Sequence, residues 1–336
     1  MSDATPIRLL VIVLNYRTAQ MTLRAAKAAL ADMPDRGAEM IIIDNASHDG
    51  SAEVLQSAIT DRGWDAGGRV RLILSDHNGG FGAGNNLGLH AGMSDGSPPD
   101  FFYILNSDAF ADRGCIGALL AHLNAHPKAG IAGSHVRGDD DVAHCTAFRF
   151  PSIAGEFEGA ARTGFISKML HRAVVAPPLP QTATRVDWVA GASMLLRAEM
   201  LRDIGTFDET FFLYFEETDL CKRAARADWE CWYVPQARVV HIGSVSTGMK
   251  EWQRMPRYWF ASRRHYFVKN HGRAYAALAW IARLAGGMIH QLRCAISGRK
   301  PQDPPHFQRD LLRHGLGFGP AGTIGTTTRP ATKDRP

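Results

Sequence analysis

Four times within its first 108 residues this chain runs through a short apolar segment and stops it on a cluster of hydrogen-bonding side chains. Residues 8–14 (RLLVIVL) end on Asn15, Tyr16 and Arg17, and residues 40–43 on Asp44, Asn45 and Ser47. Residues 70–74 run into Asn78-Gly79-Gly80-Phe81-Gly82, and residues 101–105 into Asn106-Ser107-Asp108. Helix-patterned stretches lie between them, at 18–30, from 51 onwards and at 82–91. Short β-branched runs alternating with helices predict an α/β fold: a Rossmann-like, mainly parallel sheet with helices on both faces. Ligands of such sheets sit beyond the carboxyl ends of the strands. Any one of the four clusters has an ordinary reading as turn chemistry, because Asn, Asp, Ser and Gly favour loops. Four at one rim predict a site.

The rest of the chain sets the organisation. Its 336 residues leave room for one large domain or two small ones with a real core. Five cysteines (Cys115, Cys145, Cys221, Cys231, Cys294) form no CxxC pair. Their scatter speaks against a disulfide framework or a zinc knot, so a reducing, cytoplasmic setting is expected. The first apolar run is short, leads straight into a strand and lacks the form of a signal peptide. Residues 134–185 show little periodicity and a Pro-rich piece at 177–180, which reads as an insertion or a mobile flap. Regular patterning resumes at 186–196, with a helix at 216–227, a strand near 231–234 and a linker at 244–248. Formal net charge is +5, and basic residues crowd after Arg254. The expected organisation is an α/β domain over 1–248, a basic helical region over 249–314 and a disordered stretch over 315–336.

The glycine-rich segment HNGGFGAGNNLG invites comparison with a dinucleotide fingerprint and fails it. Counting from Gly80 or Gly82, the third glycine falls on Asn85 or Leu87, and the segment follows the third strand, not the first. What remains is either a loop that lets backbone approach an anionic ligand at a helix start, or a tight turn needing positive φ. Asn106-Ser107-Asp108 places a carboxylate beyond a strand end, where it can hold Mg²⁺ or Mn²⁺ together with a diphosphate. In FFLYFEETDL, Glu216, Glu217 and Asp219 stand at the mouth of a helix behind an aromatic run. Acidic residues in a first helical turn complement the helix dipole, which is the ordinary reading. Partial desolvation by the aromatics would instead raise a carboxyl towards the range a general base needs. His241, after the ARVV run, is a structural residue unless other ligands converge on it.

In order along the chain, VIVLNY, IIIDNASHDGS, NGGFGAGNNLG, YILNSDA, WVAGASMLLR, FDETFFLYFEETDLCKRA and VVHIGSVSTG resemble the inverting family-2 glycosyltransferases with the GT-A fold. Within them the likeness is to the bacterial rhamnosyltransferase-like group, over residues 7–248. The resemblance implies a nucleoside diphosphate sugar as donor, dTDP- or UDP-linked, held by Asn15, Arg17, Asp44, Asn45, Asn78, Gly80, Phe81, Asn85, Asn106 and Ser107. It implies Asp108 as the metal-binding aspartate of a DxD-type motif whose first position here is Asn106, with His241 able to ligate the same ion. Trp188, Gly191 and Ala192 fall under the acceptor and donor sugars. Glu217 falls on the catalytic base of a motif usually written Glu-Asp, with Glu216 as a possible substitute. The expected acceptor is a glycan or lipid-linked hydroxyl. A sugar-nucleotide-binding protein without catalysis is the alternative; a nucleic-acid partner is not expected, since no reading helix or RNA-stacking motif is present.

In the basic region Leu278, Ile281, Leu284, Met288, Leu292 and Ile296 recur at helical spacing, with Arg273, Arg283, Arg293, Arg299 and Lys300 around them. The run is too interrupted to span a bilayer. Such a helix is expected either to dock on an anionic membrane surface, at the inner face of the cytoplasmic membrane, or to pack on the catalytic body.

Overall fold

The structure is a computed structural model that describes residues 7–243 and 254–314. Four strands, β1 (Leu9–Asn15), β2 (Ala38–Asp44), β3 (Val70–Leu74) and β4 (Phe101–Asn106), lie side by side and parallel in the order β3-β2-β1-β4. The chain continues through β5 (Ala109–Ala111), β6 (Ala129–Arg137), β7 (Ala147–Phe148), β8 (Thr184–Val186), β9 (Trp188–Val189), β10 (Ser193–Arg197) and β11 (Glu230–His241). Beyond β4 the order is β10-β6-β11-β5, with β8 paired to β11, and β7 and β9 form a separate ribbon. The parallel arrangement expected from the first hundred residues is the one β1 to β4 adopt. β10 runs antiparallel to both β4 and β6, which makes the sheet mixed. An apolar run shows that a strand is buried and carries no sign of its direction. The consequence matters for the site: β10 begins, rather than ends, at the rim where β1 to β4 stop.

Alternate residues of β1 point into two cores. Leu9, Val11 and Val13 pack with α1 (Ala19–Leu30), α2 (Ser51–Asp61) and α4 (Cys115–Ala125) through Leu23, Leu55 and Leu119. Leu10 and Ile12 pack on the opposite face with α3 (Gly80–Ala91), α7 (Ala198–Ile204) and α8 (Glu216–Arg226) through Leu89, Met200 and Leu220. All five β1 residues are fully buried, each contributing about 1.5–3 kcal/mol of transfer free energy. The sheet is therefore held from both sides and its loops are free to carry chemistry.

Residues 134–185 differ from the expected flap. They contain α5 (Ile153–Ala161) and α6 (Gly164–Met169), whose starts are capped by Ser152 accepting from the Gly155 amide at 3.1 Å and Thr163 accepting from the Ile166 amide at 3.3 Å. Both helices are too short for a clear hydrophobic period, which hid them in the sequence. α5 is the docking surface for the basic region, which folds as α9 (Arg257–His271), α10 (Arg273–Ser297) and α11 (Phe307–His314). Arg263 of α9, buried, donates to Glu156 of α5 at 2.8 and 3.1 Å, and Arg283 of α10 joins at 3.3 Å. Removing one partner of such a pair costs about 3–5 kcal/mol. Gly286 lets α10 lie directly on α5, where a Cβ would stand 2.5 Å from the Phe157 carbonyl. Arg283 thus belongs to the interior, whereas Leu278, Ile281, Met288, Leu292 and Ile296 stay exposed and only Leu284 of that set packs inward, beside Phe260 and Phe307. The expected linker at 244–248 and stretch at 315–336 lie outside the described residues.

Candidate active site

The first two strand ends lock each other. Asn15 Nδ2 donates to Asp44 Oδ1 at 2.6 Å and to Ser47 Oγ at 3.2 Å, and Ser47 Oγ donates to Asp44 Oδ1 at 2.6 Å. The Ser47 amide donates to Asp44 Oδ2 at 3.1 Å, and Thr22 Oγ1 donates to Asn15 Oδ1 at 2.7 Å. Asn15, Asp44 and Ser47 are all buried, so this network is close to saturated and holds Asp44 in one orientation. Arg17, at φ 57, ties in through its amide to Ser47 Oγ and through Nε to the Ser47 carbonyl, leaving an exposed guanidinium at the rim. Thr18 Oγ1 reaches Ser107 Oγ at 3.1 Å, joining the β1 end to the β4 end. Ser47 belonged to the second polar cluster in the sequence without a role of its own, and Thr22 was not singled out. Their signal was the Asp-x-x-Ser spacing after a strand, which favours local side-chain to backbone bonding.

The third cluster meets the aromatic segment. Asn45 Nδ2 donates to Asn78 Oδ1 at 2.9 Å and to the Gly80 carbonyl at 3.1 Å. Gly80 has φ 90, and a Cβ there would overlap the Phe212 carbonyl oxygen, which accepts from the Phe81 amide at 3.0 Å. The close approach that the glycines permit is thus to the protein's own 211–215 segment, the tight-turn reading. Asn85 is fully buried and donates to the Phe81 carbonyl one turn earlier in α3 at 2.9 Å. Asn86 ties in residues 207–209, bonding the Phe207 carbonyl and amide and Glu209.

The acidic helix mouth is built under strain. Tyr214 and Phe215 sit at φ 70 and 71, a left-handed conformation that bulky residues avoid. That turn delivers Glu216 and Glu217 to the start of α8. Burial raises the Glu216 carboxyl well above its ordinary value, and the neighbouring Glu217 charge adds to it. Burial likewise raises Glu217, against amide hydrogen bonds from Gly191 and the helix start that favour its charged form. One oxygen of each carboxyl, Oε2, is buried without a protein partner. Asp219 is different: fully buried, it accepts from Arg223, Lys269 and Asn270 at 2.9, 2.7 and 2.9 Å and pins α8 to α9.

The Gly191-Ala192 turn between β9 and β10 connects the two sides. Its Gly191 amide serves Glu217, and its Ala192 carbonyl accepts from the Asn106 amide at 3.0 Å. A Cβ on Gly191 would press the Phe81 ring at 3.1 Å. Trp188 stacks on Phe148 with ring centroids 4.1 Å apart and donates to the Arg149 carbonyl at 2.9 Å, forming a half-buried wall.

At the fourth strand end His241 Nε2 lies 2.9 Å from Asp108 Oδ1 and 3.5 Å from Asn106 Nδ2. The pairing of β11 with β5, His241 opposite Ala109, fixes this meeting. Among the described residues no three His, Cys, Asp or Glu side chains converge on one point. Asp108 and His241, hydrogen-bonded to each other, are the carboxylate and imidazole that would hold an Mg²⁺ or Mn²⁺ here. The donor set fits an ion that takes its remaining ligands from phosphate and water.

Comparison with known proteins agrees with this architecture. A family model described as glycosyl transferase family 2 matches residues 10–173, and one described as glycosyl transferase family group 2 matches residues 101–297. An N-acetylglucosaminyl-diphospho-decaprenol L-rhamnosyltransferase of Mycobacterium tuberculosis is 30% identical over 229 residues, covering 66% of this chain and 72% of that protein. Rhamnosyltransferase WbbL of Escherichia coli is 25% identical over 164 residues, 48% of this chain and 60% of its own. A Pyrobaculum calidifontis mannosyltransferase solved with GDP-Man and Mn²⁺ superposes with a TM-score of 0.54 at 15% identity, covering 94% of this chain and 83% of its own. GalNAc-T7 solved with UDP, GalNAc and Mn²⁺ gives 0.58 at 13%, over 93% of this chain and 55% of its own. The fold is GT-A, and its strand-end rim is the part that bears the polar clusters. The chain belongs to the family-2 glycosyltransferases, in their rhamnosyltransferase-like group.

Proposed function

We propose that this glycosyltransferase is inverting and metal-dependent, and moves rhamnose from a dTDP- or UDP-linked donor to a hydroxyl of a glycan or lipid-linked acceptor in bacterial surface polysaccharide synthesis. The observation that carries the reading is Glu217: a carboxyl raised by burial, held by the Gly191 amide and the helix start, with one oxygen buried and unpartnered, and tied by the Gly191-Ala192 turn to the strand end that bears Asp108. Asn15, Arg17, Asp44, Asn45, Asn78 and Ser107 bind and orient the nucleotide, while Gly80, Phe81 and Asn85 shape the wall beside it. Asp108 and His241 would hold Mg²⁺ or Mn²⁺, which when bound supplies positive charge to the departing diphosphate. Glu217 takes the proton of the acceptor hydroxyl as its oxygen bonds to the anomeric carbon from the face opposite the diphosphate, whose bond to that carbon breaks, and the centre is inverted. Gly191 and Ala192 set the spacing of the two sides, and Trp188 with Phe148 walls the sugar subsite. A lipid-linked acceptor places the enzyme at the inner face of the cytoplasmic membrane, bound peripherally.

Transfer is tested by offering a panel of nucleotide sugars, with Mn²⁺ or with EDTA, and a polyprenyl-diphosphate-linked N-acetylglucosamine analogue. Rhamnose is expected on the product, with anomeric configuration opposite to the donor's by NMR. A retained configuration, or equal transfer in EDTA, overturns the mechanism. Preferential transfer of another sugar overturns the donor assignment alone.

A further inference from the structure

α10 is a two-faced helix. Its inner face, with Ala279, Gly286, Gly287, His290 and Cys294 buried, lies on α5 and the return of the chain. Its outer face carries Leu278, Ile281, Met288, Leu292 and Ile296, between 52% and 80% exposed. α6 has the same character: Phe165 is 74% and Met169 66% exposed. The segment at residues 302–303 ties the approach to α6 to α10. Arg162, two residues before α6, pairs with Asp303 at 2.7 Å and Gln302 at 3.1 Å, and the Gln302 amide returns to His290 at 3.4 Å. A soluble surface rarely leaves so many large apolar side chains together without a partner for them.

Charge identifies the partner. No Asp or Glu lies between Glu251 and Asp303, or between Glu158 and Asp187. Arg273, Arg293, Arg299 and Lys300 on or just past α10, and Lys168 and Arg172 in and after α6, are exposed. Large apolar side chains bordered by cations and free of acids suit an interface with anionic lipid, where apolar residues enter the acyl boundary and the cations meet headgroups. No helix among the described residues is long and apolar enough to cross a membrane.

We propose that α6 and the outer face of α10 form one membrane-binding surface that takes an anionic bilayer, with Phe165 and Met169 as a second anchor outside the C-terminal region. This rests on the lipid-linked acceptor proposed above and is separable from it, because binding to vesicles is read without turnover. The full chain is floated with vesicles of neutral phosphatidylcholine, or with roughly one third phosphatidylglycerol, at low and high salt. Wild-type protein is expected to float with the anionic vesicles and less so at high salt. Phe165→Asp with Met169→Asp, and Leu292→Asp with Ile296→Asp, are each expected to lower the bound fraction about tenfold. Both variants should keep their melting temperature and their turnover of a water-soluble acceptor analogue. If the α6 variant floats like wild type, the second anchor is refuted. If wild type does not float and instead sediments as a dimer that the same substitutions dissociate, the face is a protein interface and the proposal fails.

Discussion

The two halves of the rim are built on opposite principles. Around Asn15 and Asp44, the side chains of Asn15, Asp44, Ser47 and Thr22 satisfy one another, and Arg17, Ala46 and His48 take left-handed backbone beside them. On the base side, two consecutive aromatic residues sit in left-handed backbone, and two adjacent carboxyls are buried with an oxygen each unpartnered. A buried carboxylate without a partner costs several kcal/mol or takes up a proton. The Asn15–Asp44 half thus uses its polar groups to fix its shape, and the Glu216–Glu217 half leaves two carboxyls short of partners. The aromatic packing of Phe211, Phe215, Tyr266 and Phe267 between α8 and α9 and the ties of Asp219 hold the costly half in place.

The sharpest way to break this contrast is Glu217→Gln, which keeps shape and removes the base. Turnover is expected to fall about 10²-fold or more with donor affinity nearly unchanged. If Glu216→Gln is the dead variant and Glu217→Gln is active, the roles are reversed. Next comes Asp108→Ala. Calorimetry of the nucleoside diphosphate should show affinity in Mn²⁺ falling about 10- to 100-fold, to the level measured in EDTA. Equal wild-type affinity with Mn²⁺ and with EDTA would separate the nucleotide side from any metal.

Glu216→Gln tests the cost of the base side directly. The folded Glu216 carboxyl titrates above its ordinary value of 4.5, so its contribution to stability is present below that value and is lost as pH rises through the higher, folded one. Urea unfolding should therefore show wild-type protein losing stability with rising pH in that window, and the Gln variant losing less. Parallel pH profiles would mean that Glu216 is not protonated in the folded protein. The smallest effect belongs to the satisfied half. Ser47→Ala should cost about 1 kcal/mol of stability and a few-fold in donor affinity, without changing the pH profile of turnover.

The contrast also explains what could be read in advance. The first four strands were legible because short β-branched runs alternate with helices, and their polar ends named Asn15, Asp44, Asn45 and Asp108. The antiparallel course of β10 was not, since burial on both faces erases the signal of direction. The 134–185 segment hid α5 because the helix is nine residues long and is ordered by Arg263 and Arg283, more than a hundred residues away. The apolar periodicity of residues 278–296 was legible, yet it did not say which face would pack: α10 lies on α5 through Gly286, and of the periodic set only Leu284 packs inward. Glu217 could be singled out by position, but its free oxygen and the Gly191 amide that aims it come from the tertiary fold.

That amide belongs to a connection of very few atoms. The Gly191-Ala192 turn touches the Asn106 strand end with one group and Glu217 with the next, so the interval between those two is gauged by a single short stretch of backbone. A residue inserted between Ala190 and Ser193 would leave β10 in register with β4 and put the two reacting partners out of step. On the proposed reading, length at this point sets how bulky a first acceptor sugar can sit between Glu217 and the Asn106 strand end.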